Sequence, residues 1–591
     1  MTLSIVHRVS IPAPATHLVH VETQVTGNAD CLPDEIVLFM AVWTPGSYLI
    51  REYARHVEGF TAEGPARATK IRKNAWLVRT SGCERAVVRY RVYAGELTVR
   101  TSHVDASHAF LVGAGLFLGV EGQENLGARL EIAIPQGWRA TTSLPPVRGA
   151  DGDKVLSFEA RDFDTLVDSP IELGLHRLER FEAHGKPHRL AVCPPGAISD
   201  SDTRRLVSDA KTIIETQAGL FGTGLPYEAY ELLLHVSAHG RGGLEHRSSA
   251  ALIVPNSSFD TREAYLDLLS LVAHEVFHAW NVKRIRPAGL TPYRYGEECY
   301  TRLLWWFEGG TSYYDWRTLA LARLCSAQEY LDHLAAEITY VEQTPGRVLH
   351  ALEEASYDAW IKLYRPDENL ANSSVSYYRK GEVVCALLDI ELRARTASRA
   401  TLDRVLAHLW AEFGVPQRPV PEDALQAVFE GVAGVPLGDL FDAWIRGTSE
   451  IDYAKTLAHV GLSVERTLRP DAAGGSLGLR LRAEGGRTIV SSVVRASAAW
   501  LAGFDPGDEI IAVGGARIEG TNVDGTLRGR APGEVVEVVS IHNARLVTRP
   551  VALDPPRADR IKIVAEPDAS QGARHAFRTW LGQDPPAGAS T

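Results

Sequence analysis

The sequence predicts a multidomain α+β protein with three regions of different character. The chain has 591 residues, whereas a single hydrophobic core stops growing near about 250–300 residues. Apolar residues recur with a period of two up to about residue 175, then with a period of 3.6 between about 195 and 460. Beyond that point, glycines and short alternating segments return.

Residues 1–175 read as an all-β, sandwich-like domain. Alternating segments at 3–11, 17–25, 35–43, 86–94 and 128–134 are separated by Pro, Gly, Asn and Asp clusters. Trp43-Thr44-Pro45-Gly46-Ser47-Tyr48 reads as a turn ending a strand. Residues 176–462 read as mainly helical, with helices at 199–220, 262–283, 301–325, 402–413 and 437–446. Strands are expected at 230–237 and 249–255. Asp260, three residues before Glu263, fits a capping box opening the helix at 262. Residues 463–565 read as a small β domain, and 566–591 as a loosely held Pro/Ala/Gly-rich tail.

Composition narrows the function. With 45% hydrophobic and 23% charged residues, the chain is neither disordered nor a disulfide scaffold. A net charge of −11 without basic blocks argues against nucleic-acid and anionic-membrane partners. The six cysteines, Cys31, Cys83, Cys193, Cys299, Cys325 and Cys385, are dispersed and read as buried thiols. No secretory leader and no apolar run of about 18 residues is seen, so a cytoplasmic location is the expectation.

The chemistry concentrates in Leu271-Val272-Ala273-His274-Glu275-Val276-Phe277-His278. On a helix, His274 and His278 project from one face a turn apart, so two imidazoles reach one zinc ion. Glu275 suits a base that takes a proton from metal-bound water. With 20 histidines in the chain, this pattern should arise by chance only about 0.04 times. A catalytic zinc needs a third protein ligand. Glu297 lies in the polar run YRYGEECY, where a solvated carboxylate is expected. Glu308 lies in the apolar LLWWFEGGTSYY, where an unpaired carboxylate would be costly. Burial therefore favours Glu308, and the two following glycines permit close helix approach. Other histidines, such as His20, His108 and His333, show no ligand spacing and read as ordinary surface or core residues.

HEVFHAWNVKRIRP followed by LLWWFEGGTSYY resembles the glycyl aminopeptidase family of zinc metallopeptidases, of gluzincin type. WTPGSYLIREYARHV resembles that family's N-terminal β-domain signature. The resemblance implies a helical, thermolysin-like catalytic domain holding one zinc per chain on His274, His278 and Glu308. It also implies release of N-terminal Gly or Ala from peptides with a free N-terminus. Gly242-Gly243-Leu244-Glu245 resembles the motif on the active-site edge strand, making Glu245 the expected anchor for the substrate ammonium. Tyr378-Arg379-Lys380-Gly381 resembles the segment whose tyrosine serves the oxyanion, which assigns that role to Tyr378. The loop at Leu477-Gly478-Leu479 and the run Gly507–Ile511 resemble a PDZ domain, implying a peptide ligand. A zinc endopeptidase with PDZ-guided capture and a non-catalytic peptide-binding scaffold are the alternatives. An oligomer is compatible with the sequence.

Overall fold

The computed structural model describes residues 3–27, 32–80, 82–147, 155–238, 240–468, 474–556 and 560–586. The chain forms two compact units. The first comprises residues 1–301, 314–324 and 406–422, and the second 302–313, 325–405 and 423–591. The chain thus passes between units within the stretch expected to hold the catalytic domain.

The first unit is β-rich at its N-terminal end, as the period of two predicts. The expected strands appear as Leu3–Ser10, Leu18–Gly27, Glu35–Met40, Arg85–Tyr93 and Ala128–Ala133. Four of them lie in a six-stranded sheet and Glu35–Met40 in a four-stranded one, and a separate five-stranded sheet makes one sheet more than a two-layer sandwich. Burial alternates along them, with Val19, Val21 and Val25 inside. The turn at Trp43–Tyr48 closes through a hydrogen bond from Ser47 N–H to Thr44 O, and Trp43 Nε1 donates to Arg294 O at 2.9 Å.

A further sheet follows, in the order Arg177–Ala183, Lys186–Cys193, Tyr230–Ser237, Ser249–Pro255 and Gly242–Glu245. Its three central strands are parallel and their apolar residues are buried on both faces. Gly242–Glu245 runs antiparallel at the edge, pairing Gly243 with Leu252 and Glu245 with Ala250. Leu233, Leu244, Ala251 and Ile253 share one core with the N-terminal strands.

Against this sheet lies the helix Arg262–Phe277, called here the motif helix. The expected Asp260 cap is displaced by one residue. Asp260 is helical, closing the 3₁₀ turn Asn256–Phe259, whereas Thr261 is extended and its side chain accepts from Ala264 N–H. The helix ends at Phe277, short of the expected 283, and Arg284 then donates to Ala279 O at 2.7 Å, satisfying a terminal carbonyl. Phe221, from the helix Asp200–Phe221, stacks on Trp280 at 4.6 Å.

The second unit contributes Leu304–Phe307, the turn at Glu308, and the helices Ala327–Glu342 and Arg379–Thr396. At its C-terminal end, strands Leu479–Glu484, Arg487–Val493, Glu509–Val513, Val535–His542 and Arg545–Ala552 form a sheet around Val490, Ile510 and Val538. Strand Arg560–Ala565 returns to pair with Leu462–Thr467.

The tail expected to be loose instead carries the helix Gln571–Leu581, which packs against Arg379–Thr396. Phe577, Trp580 and Leu581 recur at one-turn spacing and are buried. Trp580 Nε1 donates to Tyr313 Oη at 3.0 Å, and Arg393 donates to Thr579 Oγ1 at 3.0 Å. Cys193, Cys299, Cys325 and Cys385 are buried, as expected, and Cys83 is half-buried; Cys31 lies outside the described residues. Among the described residues, no helix is long and apolar enough to cross a membrane.

Candidate active site

The motif helix positions its histidines as the 3.6 period requires. His278 sits just past the last helical residue but keeps helical dihedrals (φ −60°, ψ −19°), so the one-turn relation to His274 survives. The two ring centroids are 4.7 Å apart. His274 Nδ1 meets Asp315 Oδ2 at 3.0 Å, and His278 Nδ1 meets the backbone oxygen of Asn281 at 2.8 Å. Both rings are anchored through Nδ1, so Nε2 is the atom with which each could take a metal. A carboxylate behind a metal-binding imidazole fixes its tautomer and raises its basicity. The donor set on this helix fits a zinc ion.

Glu275, between the histidines, is 4% exposed. The edge strand crosses directly over it. An added Cβ at Gly243 would lie 2.0 Å from Glu275 Oε1 and 2.5 Å from its Cγ, so only glycine allows this approach. Arg100 donates to Gly243 O at 3.2 Å and holds the strand in place. Two residues on, Glu245 is 3% exposed. Ligand atoms of Glu245, Glu275 and His278 all lie within 4.8 Å of one another. Gly46, in the turn at Trp43–Tyr48, has φ +87°, and a Cβ there would meet Glu245 Oε2 at 2.3 Å. The N-terminal turn therefore walls the Glu245 carboxylate. Glu245 Oε1 accepts no hydrogen bond among the described residues and lies 4.0 Å from Lys283 Nζ. Burial alone would lower the Lys283 pKa, yet Asp168, 2.9 Å away, outweighs it and keeps the ammonium charged.

In the second unit, Glu308 is buried at the end of Leu304–Phe307. Gly309 and Gly381 face each other, since a Cβ on Gly309 would fall 2.6 Å from Gly381 Cα. This contact brings the start of the helix Arg379–Thr396 against the Glu308 segment. Tyr378 caps that helix; its ring stacks on Tyr377 at 4.7 Å and its hydroxyl lies 3.2 Å from Tyr364 Oη. Burial and then the Glu308 charge push the Tyr378 phenol well above its usual pKa, which keeps it a hydrogen-bond donor. Tyr377 is completely buried, whereas Tyr378 keeps accessible surface.

Glu297 is exposed and pairs with Arg294 at 2.7 Å, a solvated ion pair as its polar context suggests. Arg286 stacks over Tyr293 at 4.1 Å. Sequence reasoning missed Asp315, Asn281, Tyr364 and the Lys283–Asp168 pair. Asp315 lies seven residues after Glu308, two helical turns along, and that spacing was the available signal.

Residues 7–175 match the Peptidase M61 N-terminal domain, and residues 267–384 match the M61 glycyl aminopeptidase family. A crystal structure of an aminopeptidase N family protein from Idiomarina loihiensis is 30% identical, with a TM-score of 0.90. The match covers 98% of this chain and all of that one. An M1 zinc metallopeptidase from Deinococcus radiodurans matches with 14% identity and a TM-score of 0.48, over 76% of this chain and 94% of that one. Yeast LTA4 hydrolase matches with 13% identity and a TM-score of 0.48, over 78% and 70% respectively. Among curated proteins, no match was found. With near-complete coverage by a relative at 30% identity and both M61 regions present in order, the chain belongs to the M61 glycyl aminopeptidase family and is a metallo-aminopeptidase.

Proposed function

We propose that the chain is a zinc aminopeptidase that releases small N-terminal residues, Gly and Ala first, from peptides with a free N-terminus. His274, His278 and Glu308 hold one zinc ion, which when bound polarises the scissile carbonyl and lowers the pKa of a bound water. Glu275 takes the proton of the attacking water and passes it to the leaving amine. Tyr378 donates its phenolic hydrogen to the oxygen that gains charge. Gly242 and Gly243 offer backbone groups at the sheet edge to an extended substrate. Glu245 receives the substrate ammonium, which fixes the cut one residue from the N-terminus.

The observation that carries this reading is the convergence of Glu245, Glu275 and His278 within 4.8 Å on the edge strand and motif helix. A carboxylate beside the base, walled by the N-terminal turn, favours an exopeptidase over an endopeptidase, which needs an open path past the first residue. The preference for Gly and Ala rests on family membership. The C-terminal sheet serves as a PDZ-like peptide-binding module in this reading. The support there is the loop Ser476–Leu479, which lines a cavity of about 810 Å³ beside the strand Leu479–Glu484.

The test compares Gly and Ala p-nitroanilides with their N-acetyl counterparts, with and without chelator. Hydrolysis of only the free amines, lost on chelation and restored by zinc, is expected. Glu275→Gln should abolish turnover with zinc still bound. Equal cleavage of blocked substrates would refute the assignment of Glu245.

A further inference from the structure

A second set of metal-ligating side chains lies outside the aminopeptidase site, at the tip of a hairpin in the N-terminal β region. Strand Thr101–Val104 carries His103 one residue before its end, and strand His108–Leu111 begins on His108, with Asp105 in the turn between them. His103 Nε2 lies 3.3 Å from Asp105 Oδ2, and His108 Nε2 lies 3.9 Å from the same oxygen. One ligand atom from each of the three residues falls within 4.8 Å of the other two. In a tetrahedral zinc site with bonds of 2.0–2.1 Å, ligand atoms are separated by about 3.3 Å. The two separations to Asp105 Oδ2 already lie within about 0.6 Å of that value, and the third exceeds it by at most about 1.5 Å.

The surroundings are built as metal sites are built. Asp105 Oδ1 accepts from Ser107 N–H and Ser107 Oγ at 2.7 Å and from His108 N–H at 3.0 Å. The turn therefore fixes the carboxylate with Oδ2 toward both imidazoles. Behind His108, its Nδ1 meets Glu172 Oε1 at 3.0 Å, and Glu172 Oε2 meets His235 Nε2 at 2.9 Å. Glu172 is 1% exposed. A buried carboxylate on the far nitrogen of an imidazole is the arrangement that orients metal-binding histidines. Asp105 is 40% exposed, so an ion enters from its side and keeps a water there. His108 is buried, as expected of a core residue, and its ring faces Asp105 on one side and Glu172 on the other. His-x-Asp-x-x-His lacks helical spacing, and only the hairpin brings its members together.

We propose that His103, Asp105 and His108 form a second divalent-metal site, of zinc class, supported from behind by Glu172. Two imidazole nitrogens and one carboxylate oxygen select a first-row transition ion over calcium or magnesium. Glu172 stands on the strand Ile171–Gly174 and His235 on the central strand of the catalytic sheet, so a bound ion ties the hairpin to that sheet.

The test titrates the full-length, chelator-stripped protein with Co²⁺, read by equilibrium dialysis and visible absorption. Wild type should bind two equivalents. His103→Gln and Asp105→Asn should each bind one, as should His278→Ala, and the His103→Gln/His278→Ala protein should bind none. Asp105→Asn keeps the Oδ1 acceptor of the turn, so it decides the question if His103→Gln fails to fold by circular dichroism. Binding by Asp105→Asn and folded His103→Gln equal to wild type would overturn the proposal and leave the cluster a proton-sharing network. Loss of metal only in His278→Ala would do the same while sparing the aminopeptidase reading.

Discussion

Gly243 offers a direct test of how the edge strand serves the base. Its replacement by alanine leaves the strand's pairing with Leu252 intact, because the change adds a single Cβ. That carbon would meet Glu275 Oε1 at 2.0 Å, Cδ at 2.3 Å and Cγ at 2.5 Å. Ordinary van der Waals contact begins near 3.4 Å, so the Glu275 carboxylate must shift by more than 1 Å. A 1 Å misplacement at a reacting group costs about 100-fold in rate, which is about 2.7 kcal/mol of barrier. The loss should appear in kcat with Gly p-nitroanilide, while KM changes little and zinc content, measured by mass spectrometry, stays at the wild-type value. Overpacking of this kind lowers stability by about 1–3 kcal/mol, so a melting curve accompanies the kinetics. A Gly243→Ala enzyme within threefold of wild-type kcat would refute the claim that the glycine exists to admit the base.

Asp315→Asn removes the carboxylate behind His274 and should weaken zinc affinity or activity by about 10- to 100-fold, read by competition with a chromogenic chelator. For Glu172, burial alone would raise the pKa, but hydrogen bonds from His108 and His235 outweigh it and hold the carboxyl at about 2. The depressed value adds stability above the unfolded pKa near about 4.3, and this is lost as pH falls toward 2. In chelator-treated protein, Glu172→Gln should therefore be less stable by about 3 kcal/mol at pH 6, with the gap closing in acid in urea titrations; a pH-independent gap would contradict this. Trp580→Ala should cost about 3–5 kcal/mol, and an unchanged melting temperature would show the terminal helix to be dispensable.

The parts legible in sequence were those governed by local periodicity. Tyr230–Ser237 and Ser249–Pro255 have the expected bounds because their apolar runs are continuous and flanked by turn residues. The motif helix was legible because its histidine pair and its apolar face share one period. Its cap was misplaced by one residue because Asp260 and Thr261 are both good caps, and only backbone conformation separates them. Asp315 stayed hidden since a lone acidic residue on a helix usually faces solvent. The terminal helix was hidden by its Pro- and Gly-rich flanks, although Phe577, Trp580 and Leu581 already carried helical spacing. The hairpin cluster depends on strand register, and sequence spacing alone does not encode that.

The docking of Gln571–Leu581 against Arg379–Thr396 also imposes an order on assembly. The helix that begins beside Tyr378 is translated well before the segment that supports it. Trp580 reaches Tyr313, which donates to Asp389 at 2.6 Å on that same helix, so the support is relayed through a buried polar chain. The helix beside Tyr378 is thus completed by a contact about 190 residues further along the chain, and such long-range contacts form late in folding.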